Sequence, residues 1–236
     1  MDQNIMNHTK QHAILAALLS KHAQIAQGEK GKEAVLEIFR TIGRQRGQIM
    51  AKRALANQDQ LDYVSYSAYG ELDSEPVKTP GPSADLYQGS DGAVKKVYTC
   101  GWLEAWKEHD LLDYGRLYCQ VIDESLYSAF NPDYHCTIKQ RLSNGDECCE
   151  FHWHLDLKEG DRQRISEKKA RFGKTYVKSF DYQVGNLLSV ALKILKDRLG
   201  EEGVKIYNGA IRDFIDLFGG ELIIRAENAY INEVDS

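Results

Sequence analysis

The chain has 236 residues, 42% of them hydrophobic and 28% charged, which is ordinary for a globular protein and sufficient for one sizeable core. A formal net charge of −5 argues against nonspecific nucleic-acid binding, which needs a basic face. No apolar run approaches the ~20 residues that span a bilayer, and the opening MDQNIMNHTKQH lacks the basic start and apolar stretch of a secretory signal.

Five cysteines, an odd number, suit free thiols in a reducing compartment better than a disulfide framework, so a cytoplasmic location is expected. The first third reads as helix. Ile14, Leu15, Leu18 and Leu19 recur at helical spacing between about His8 and Ala26, and Gly28 ends the element. A second helix follows with Ala34, Val35, Ile38, Phe39 and Ile42 inward. On it Gly43 and Gly47 bracket Arg44 and Arg46, and each costs ~1 kcal/mol of helix propensity against Ala. That cost implies a close approach, by a packed helix or by a ligand.

From Gly70 to Gly92 the prolines Pro76, Pro80 and Pro82, among several glycines, exclude helix and disfavour a regular strand. This segment reads as a long connection or an active-site flap. A short strand, Lys95 to Cys100, then precedes a helix near Leu103 to His109 and another from about Tyr114 to Ala129, ended by Asn131-Pro132.

Two strand-like runs, Tyr134 to Leu142 and Glu147 to Leu155, flank Ser143-Asn144-Gly145-Asp146, and Asn-Gly is the preferred centre of a type I′ hairpin turn. That turn pairs Cys136 with Trp153, Ile138 with Phe151 and Gln140 with Cys149 on one face, turning Cys149 inward and Cys148 outward. The opposite face gathers His135, His152 and His154 with Lys139, Arg141 and Glu150, and reads as a solvated face rather than a metal site. The interleaved charges of Arg162 to Lys178 likewise read as a surface segment. Val184 to Leu199 forms a helix capped by Gly200. Val204 to Phe218 forms another, stopped by Gly219-Gly220, and Glu221 to Arg225 reads as a last strand. No internal repeat is evident.

Common catalytic signatures are missing: the sequence has no phosphate-binding glycine loop, no Gly-x-Ser-x-Gly elbow and no His-Glu-x-x-His helix. What remains lies around the hairpin. Cys119 and Asp123, four apart, share one helix face. A carboxylate beside a thiol suppresses thiolate, so the pair is useful only with a cation nearby or with Asp123 handling a substrate proton. Cys149 beside Phe151 and Trp153 is either a nucleophile or a small apolar filler.

The stretch GWLEAWKEHDLLDYGRLYCQVIDESLYSAFNPDYHCTIKQRLSNGDECCEFHW carries a family resemblance. Tyr118-Cys119 followed by Asp123, the step Phe130-Asn131-Pro132, and Gly145-Asp146-x-x-Cys149-x-Phe151 resemble the L-2-amino-thiazoline-4-carboxylic acid hydrolase family. The segment GRQRG at Gly43 to Gly47 looks similar as well, so the likeness covers most of residues 8 to 155. The hairpin alone is also similar to the 4-vinyl reductase domain, a small-molecule-binding module. The doubled Cys148-Cys149 and the Pro-rich insertion depart from the pattern.

The resemblance implies hydrolytic opening of a small heterocycle with a C=N bond, which requires a general base, a general acid and a nucleophile or electrophilic metal. On that reading Asp123 transfers protons. Cys119 and Cys149 are nucleophiles or metal ligands, and His109 is a reserve acid or base. Arg46 holds a substrate carboxylate, and Trp106, Tyr118 and Phe151 line the site. A divalent metal ion is the one cofactor with a place in this scheme. The expected partner is a small-molecule substrate, with homo-oligomerisation open and neither nucleic acid nor membrane involved. The alternative is a non-catalytic ligand-sensing module. The expected fold is α+β: an antiparallel sheet with a central hairpin, covered by N-terminal and C-terminal helices. A helical part (1–70), a Pro/Gly-rich loop (71–93) and an α+β core (94–236) would together form one compact domain.

Overall fold

A computed structural model describes residues 3–72, 84–133 and 136–234. Along the chain run α1 (Gln3–Ala56), α2 (Tyr63–Ala68), β1 (Ala84–Gly89), β2 (Gly92–Val97), α3 (Gly101–Glu108) and α4 (Leu112–Phe130). Then come β3 (Cys136–Gln140), a 3-10 turn (Leu142–Asn144), β4 (Cys149–Trp153), α5 (Asp161–Phe172), α6 (Phe180–Phe218) and α7 (Glu221–Val234). The fold is α+β. Two compact units interleave along the chain: one takes residues up to 42, 100–122 and those from 179 onward, the other 43–99 and 123–178.

The first unit is helical. α1 and α6 are each broken at a glycine with positive φ, Gly28 (φ 52°, ψ −126°) and Gly200 (φ 60°, ψ −135°). A Cβ on Gly31 would lie 1.9 Å from the Ala23 carbonyl oxygen, and one on Gly203 2.0 Å from that of Leu195. Residues eight apart on a continuous helix are ~12 Å distant. The chain therefore doubles back at each corner, and α1 and α6 are both helical hairpins. The expected helix ends at Gly28 and Gly200 are correct. The two corners share one spacing, Gly-x-x-Gly, which is a local repeat missed in the sequence.

Ile14, Leu15, Leu19, Val35, Ile38 and Phe39 from the first hairpin share one core with Leu187, Leu195, Ile206 and Phe214 from the second. The expected strand at 221–225 is a correction. That segment opens α7, in which Leu222 and Ala226 are buried one turn apart and the Ala226 backbone meets Gly185 of α6 at 2.2 Å from a would-be Cβ. Short apolar runs do not separate helix from strand. The helical spacing and the good helix formers around it decide for helix.

The second unit holds a four-stranded antiparallel sheet in the order β1-β2-β4-β3. Its core joins Met50 and Ala54 of α1, Tyr63 and Ala68 of α2, and Leu126, Tyr127 and Phe130 of α4 to Trp153 of β4. The backbones of α1 and α4 touch closely here: a Cβ on Gly47 would lie 2.2 Å from the Leu126 carbonyl oxygen. Gly47 is therefore a packing glycine.

The sheet corrects the reading of the Pro/Gly-rich stretch in part. Its prolines lie in 73–83, outside the described residues, but Ala84–Gly89 is a regular strand closed onto β2 by the pair Gly89↔Gly92. Gly92 (φ 112°) would place a Cβ 2.0 Å from the Trp153 carbonyl oxygen, so the hairpin and β4 require that glycine.

Candidate active site

The β3–β4 hairpin positions the site. The expected register holds at its open end, where Cys136 pairs with Trp153, Thr137 with His152 and Ile138 with Phe151. It then slips across a bulge, and Gln140 pairs with Glu150 rather than Cys149. The connection is not a two-residue turn. A 3-10 turn over Leu142–Asn144 precedes Gly145 in the left-handed region at φ 92°.

Backbone and side-chain bonds close this loop. Asp146 Oδ2 accepts the Arg141 amide N–H at 2.7 Å, Cys149 Sγ accepts that of Leu142 at 3.4 Å, and the Arg141 carbonyl accepts from Asn144 at 2.9 Å. Gly145, Asp146 and Cys149, the motif residues, are thus the residues that shape the loop. The orientation of the adjacent thiols is accordingly a correction: Cys148 is buried, 2% exposed, with its Sγ donating to Gln140 Oε1, while Cys149 is half-buried. The bulge and the wider loop remove the strict alternation from which the opposite order was inferred.

Asp123 lies on α4 in the half of that helix that belongs to the sheet unit. Among the described residues its carboxylate forms no hydrogen bond and no close ion pair. Burial pushes its carboxyl above the usual carboxylate range, and the positive charges of Arg46, Arg141 and Lys95 pull it back. Arg46, on α1 beside Gly47, is 9% exposed; its Nε stands 3.4 Å from Glu71 Oε1 yet has no hydrogen-bond partner. Lys95 projects from β2, paired with Phe151 of β4, and burial pushes its ammonium below the usual lysine range. Around these charges stand Tyr66 and Tyr127, 4.7 Å apart, both held neutral as phenols by burial.

The thiol that senses Asp123 is Cys136. Burial, then the charges of Asp123 and Glu124, raise it far above an ordinary thiol, so it is held as S–H. Cys136 lines a cleft of ≈ 420 Å³ with Glu124, Ser128, Thr137 and His154. The sequence reading passed over Cys136, Lys95, Arg141 and Tyr66 as site residues. Cys136 was legible as a residue on the covered face, but no motif marked it, and Lys95 was legible only as the start of a short strand.

The other expected site residues have separate places. Cys119 packs against the core of the helical unit. In the same unit Trp106 is fully buried, donates its indole N–H to the Ala13 carbonyl at 2.8 Å and lies against Gly115, leaving no surface for a substrate. Tyr118 is buried between Phe39 and His12. His109 belongs to the helical unit too, with its Nε2 buried and its ring 6.3 Å from Phe218. Phe151 stacks on Trp153 at 5.8 Å. On the outer face of the sheet Glu150 links Lys96 (3.1 Å) to His152 (2.5 Å), and His154 faces Asp91; His135 lies outside the described residues. Among the described residues no group of three or more His, Cys, Asp or Glu is arranged to hold a metal ion.

The model of one family, L-2-amino-thiazoline-4-carboxylic acid hydrolase, matches residues 6–153. The chain belongs to that family. The matched region ends at the last residue of β4 and contains Arg46, Lys95, Asp123, Cys136, Arg141, Asp146 and Cys149. A family of hydrolases implies a small-molecule substrate. No curated protein and no solved structure matches the chain. No helix among the described residues is long and apolar enough to cross a membrane.

Proposed function

We propose that the protein hydrolyses a small heterocycle bearing both a C=N bond and a carboxylate, of the thiazoline or cyclic amidine type, with Asp123 as the proton-transfer group. The observation that carries this reading is one half-buried carboxylate without a bonded partner, facing three cations. Arg46 (paired with Glu71), Arg141 and Lys95 all place positive charge toward Asp123. Such a site complements a substrate carboxylate, and guanidinium is the side chain suited to hold one.

Asp123 takes a proton from water as the water oxygen bonds to the C=N carbon and the ring nitrogen accepts the electron pair. As the tetrahedral carbon collapses to C=O, its hydroxyl proton passes to the ring nitrogen, the bond to the ring leaving atom breaks, and protonated Asp123 returns its proton to that atom. A carboxyl raised by burial serves both steps, since its pKa lies nearer neutrality than that of a free carboxylate. Neutral Tyr66, Tyr127 and Cys136 supply hydrogen-bond donors.

The test is turnover of 2-amino-thiazoline-4-carboxylate by wild type and by Asp123→Asn. Loss of turnover in the variant with ligand binding retained supports the assignment. A wild type that binds the compound and never opens it makes the chain a binding module instead.

A further inference from the structure

The Gly-Asp-x-x-Cys segment lies in a loop whose two side-chain acceptors hold two consecutive backbone amides. Arg141 N–H is held by Asp146 Oδ2 at 2.7 Å and Leu142 N–H by Cys149 Sγ at 3.4 Å. The Arg141 carbonyl accepts from Asn144 at 2.9 Å and from Asp146 at 3.4 Å, and the chain turns through Gly145 at φ 92°. Arg141 is thereby fixed at its amide and its carbonyl, while its Nη1 reaches the Ile138 carbonyl at 3.4 Å. At the neighbouring end of β3, where the register has already slipped, Cys148 Sγ donates to Gln140 Oε1 at 3.3 Å.

We propose that Asp146 and Cys149 are positioning residues: they clasp the loop so that the Arg141 guanidinium stands at the Asp123 site, where it receives the substrate carboxylate. Cys149 in this role is neither nucleophile nor metal ligand. Its sulfur is an acceptor that satisfies one amide, a task a serine hydroxyl also performs. Asp146 acts the same way through a charge-assisted bond, which the amide oxygen of Asn reproduces more weakly.

The carboxylate-binding half of this proposal rests on the hydrolase reading, whereas the clasp does not, and two readouts separate them. The first is carboxyl-carbon NMR titration of Asp123 in the full-length free protein. Removing the nearby cation in Arg141→Gln raises the Asp123 midpoint. Asp146→Ala and Cys149→Ala move it in the same direction, and neither adds a shift in the Arg141→Gln background. Asp146→Asn and Cys149→Ser stay close to wild type and remain informative if either alanine variant fails to fold. An unmoved midpoint in Asp146→Ala and Cys149→Ala, with Arg141→Gln shifted, overturns the clasp; so does an unmoved midpoint in Arg141→Gln.

The second readout compares 2-amino-thiazoline-4-carboxylate with 2-aminothiazoline, which lacks the carboxylate. Arg141→Gln and Cys149→Ala weaken binding of the first by about 10- to 100-fold, the worth of one charge-assisted hydrogen bond, and leave the second unchanged. Equal weakening of both compounds overturns the assignment of Arg141 to the carboxylate. If neither compound is turned over while the titration shifts stand, the hydrolase reading has failed and the clasp has not.

Discussion

Gly47 meets the Leu126 carbonyl oxygen so closely that a Cβ would lie 2.2 Å away. This approach brings α1 against the part of α4 that carries Asp123, and the residue before Gly47 is Arg46. A methyl group there must push the two backbones apart. Gly47→Ala should therefore destabilise the fold by about 1–3 kcal/mol, the usual cost of overpacking, and should impair substrate binding in excess of its effect on folding. Chemical denaturation, with binding measured on the fraction that remains folded, checks both parts. Unchanged stability would show that the helices can separate freely.

Asp123→Asn keeps the shape of the side chain and removes its titration. Turnover should fall about 10²- to 10⁴-fold, the range for a lost general base. The fold should not suffer. Burial raises the folded pKa of Asp123 above that of a free aspartate. Its contribution to stability is fully present below the unfolded pKa and is lost as pH rises through the folded one. At pH 7 the asparagine variant should be at least as stable as wild type, and that advantage should vanish on acidification to pH 3. Paired denaturation curves at the two pH values decide it.

The same raised carboxyl sets the acid limb of the activity profile. If Asp123 acts as the base, kcat/KM should decline with falling pH at a midpoint above that of an ordinary aspartate, because its protonated form cannot accept the water proton. Arg46→Gln should move that midpoint upward, since the cation that most favours the ionised form is gone. A rate profile flat down to pH 4 would remove Asp123 from the proton-transfer step.

Thiol chemistry should follow burial. Cys148 is 2% exposed, and burial and neighbouring carboxylates raise the thiols of both Cys148 and Cys136. Iodoacetamide should label both much more slowly in native protein than after denaturation, as mass spectrometry of the peptides will show. Fast labelling of Cys148 in native protein would restore the simple two-residue turn.

The helical corners were legible because Gly28 and Gly200 interrupt strong 3.6-residue patterns, and helix breaking by glycine is a local property. The register Cys136↔Trp153 was legible from alternation. The bulge after Ile138 was not, because Asn144-Gly145 carries the strongest local hairpin signal, while the loop is governed by side-chain bonds from Asp146 and Cys149. The site followed the same division. Asp123 and Arg46 were singled out through motif and glycine cost, and the structure sets them in the same unit. The charges of Lys95 and Arg141 act on Asp123 through strand pairing and loop shape, which spacing along the chain does not encode. Trp106 and Tyr118 fell within the resembling stretch, and aromatic rings serve cores as readily as binding sites.

At Gly28 the chain reverses with nothing within 4 Å of a would-be Cβ, and the residues around it, from Ile25 to Lys30, are mostly exposed. The corner depends on backbone geometry at Gly28 and on close packing at Gly31, three residues later. Its tip is therefore a place where the polypeptide can be lengthened or opened. A short peptide spliced between Gly28 and Glu29 should be accommodated as an enlarged loop, and a protease should cut there first, leaving two fragments that stay associated through the shared core. The same insert between Arg46 and Gly47, inside a helix pressed against its neighbour, has no such freedom.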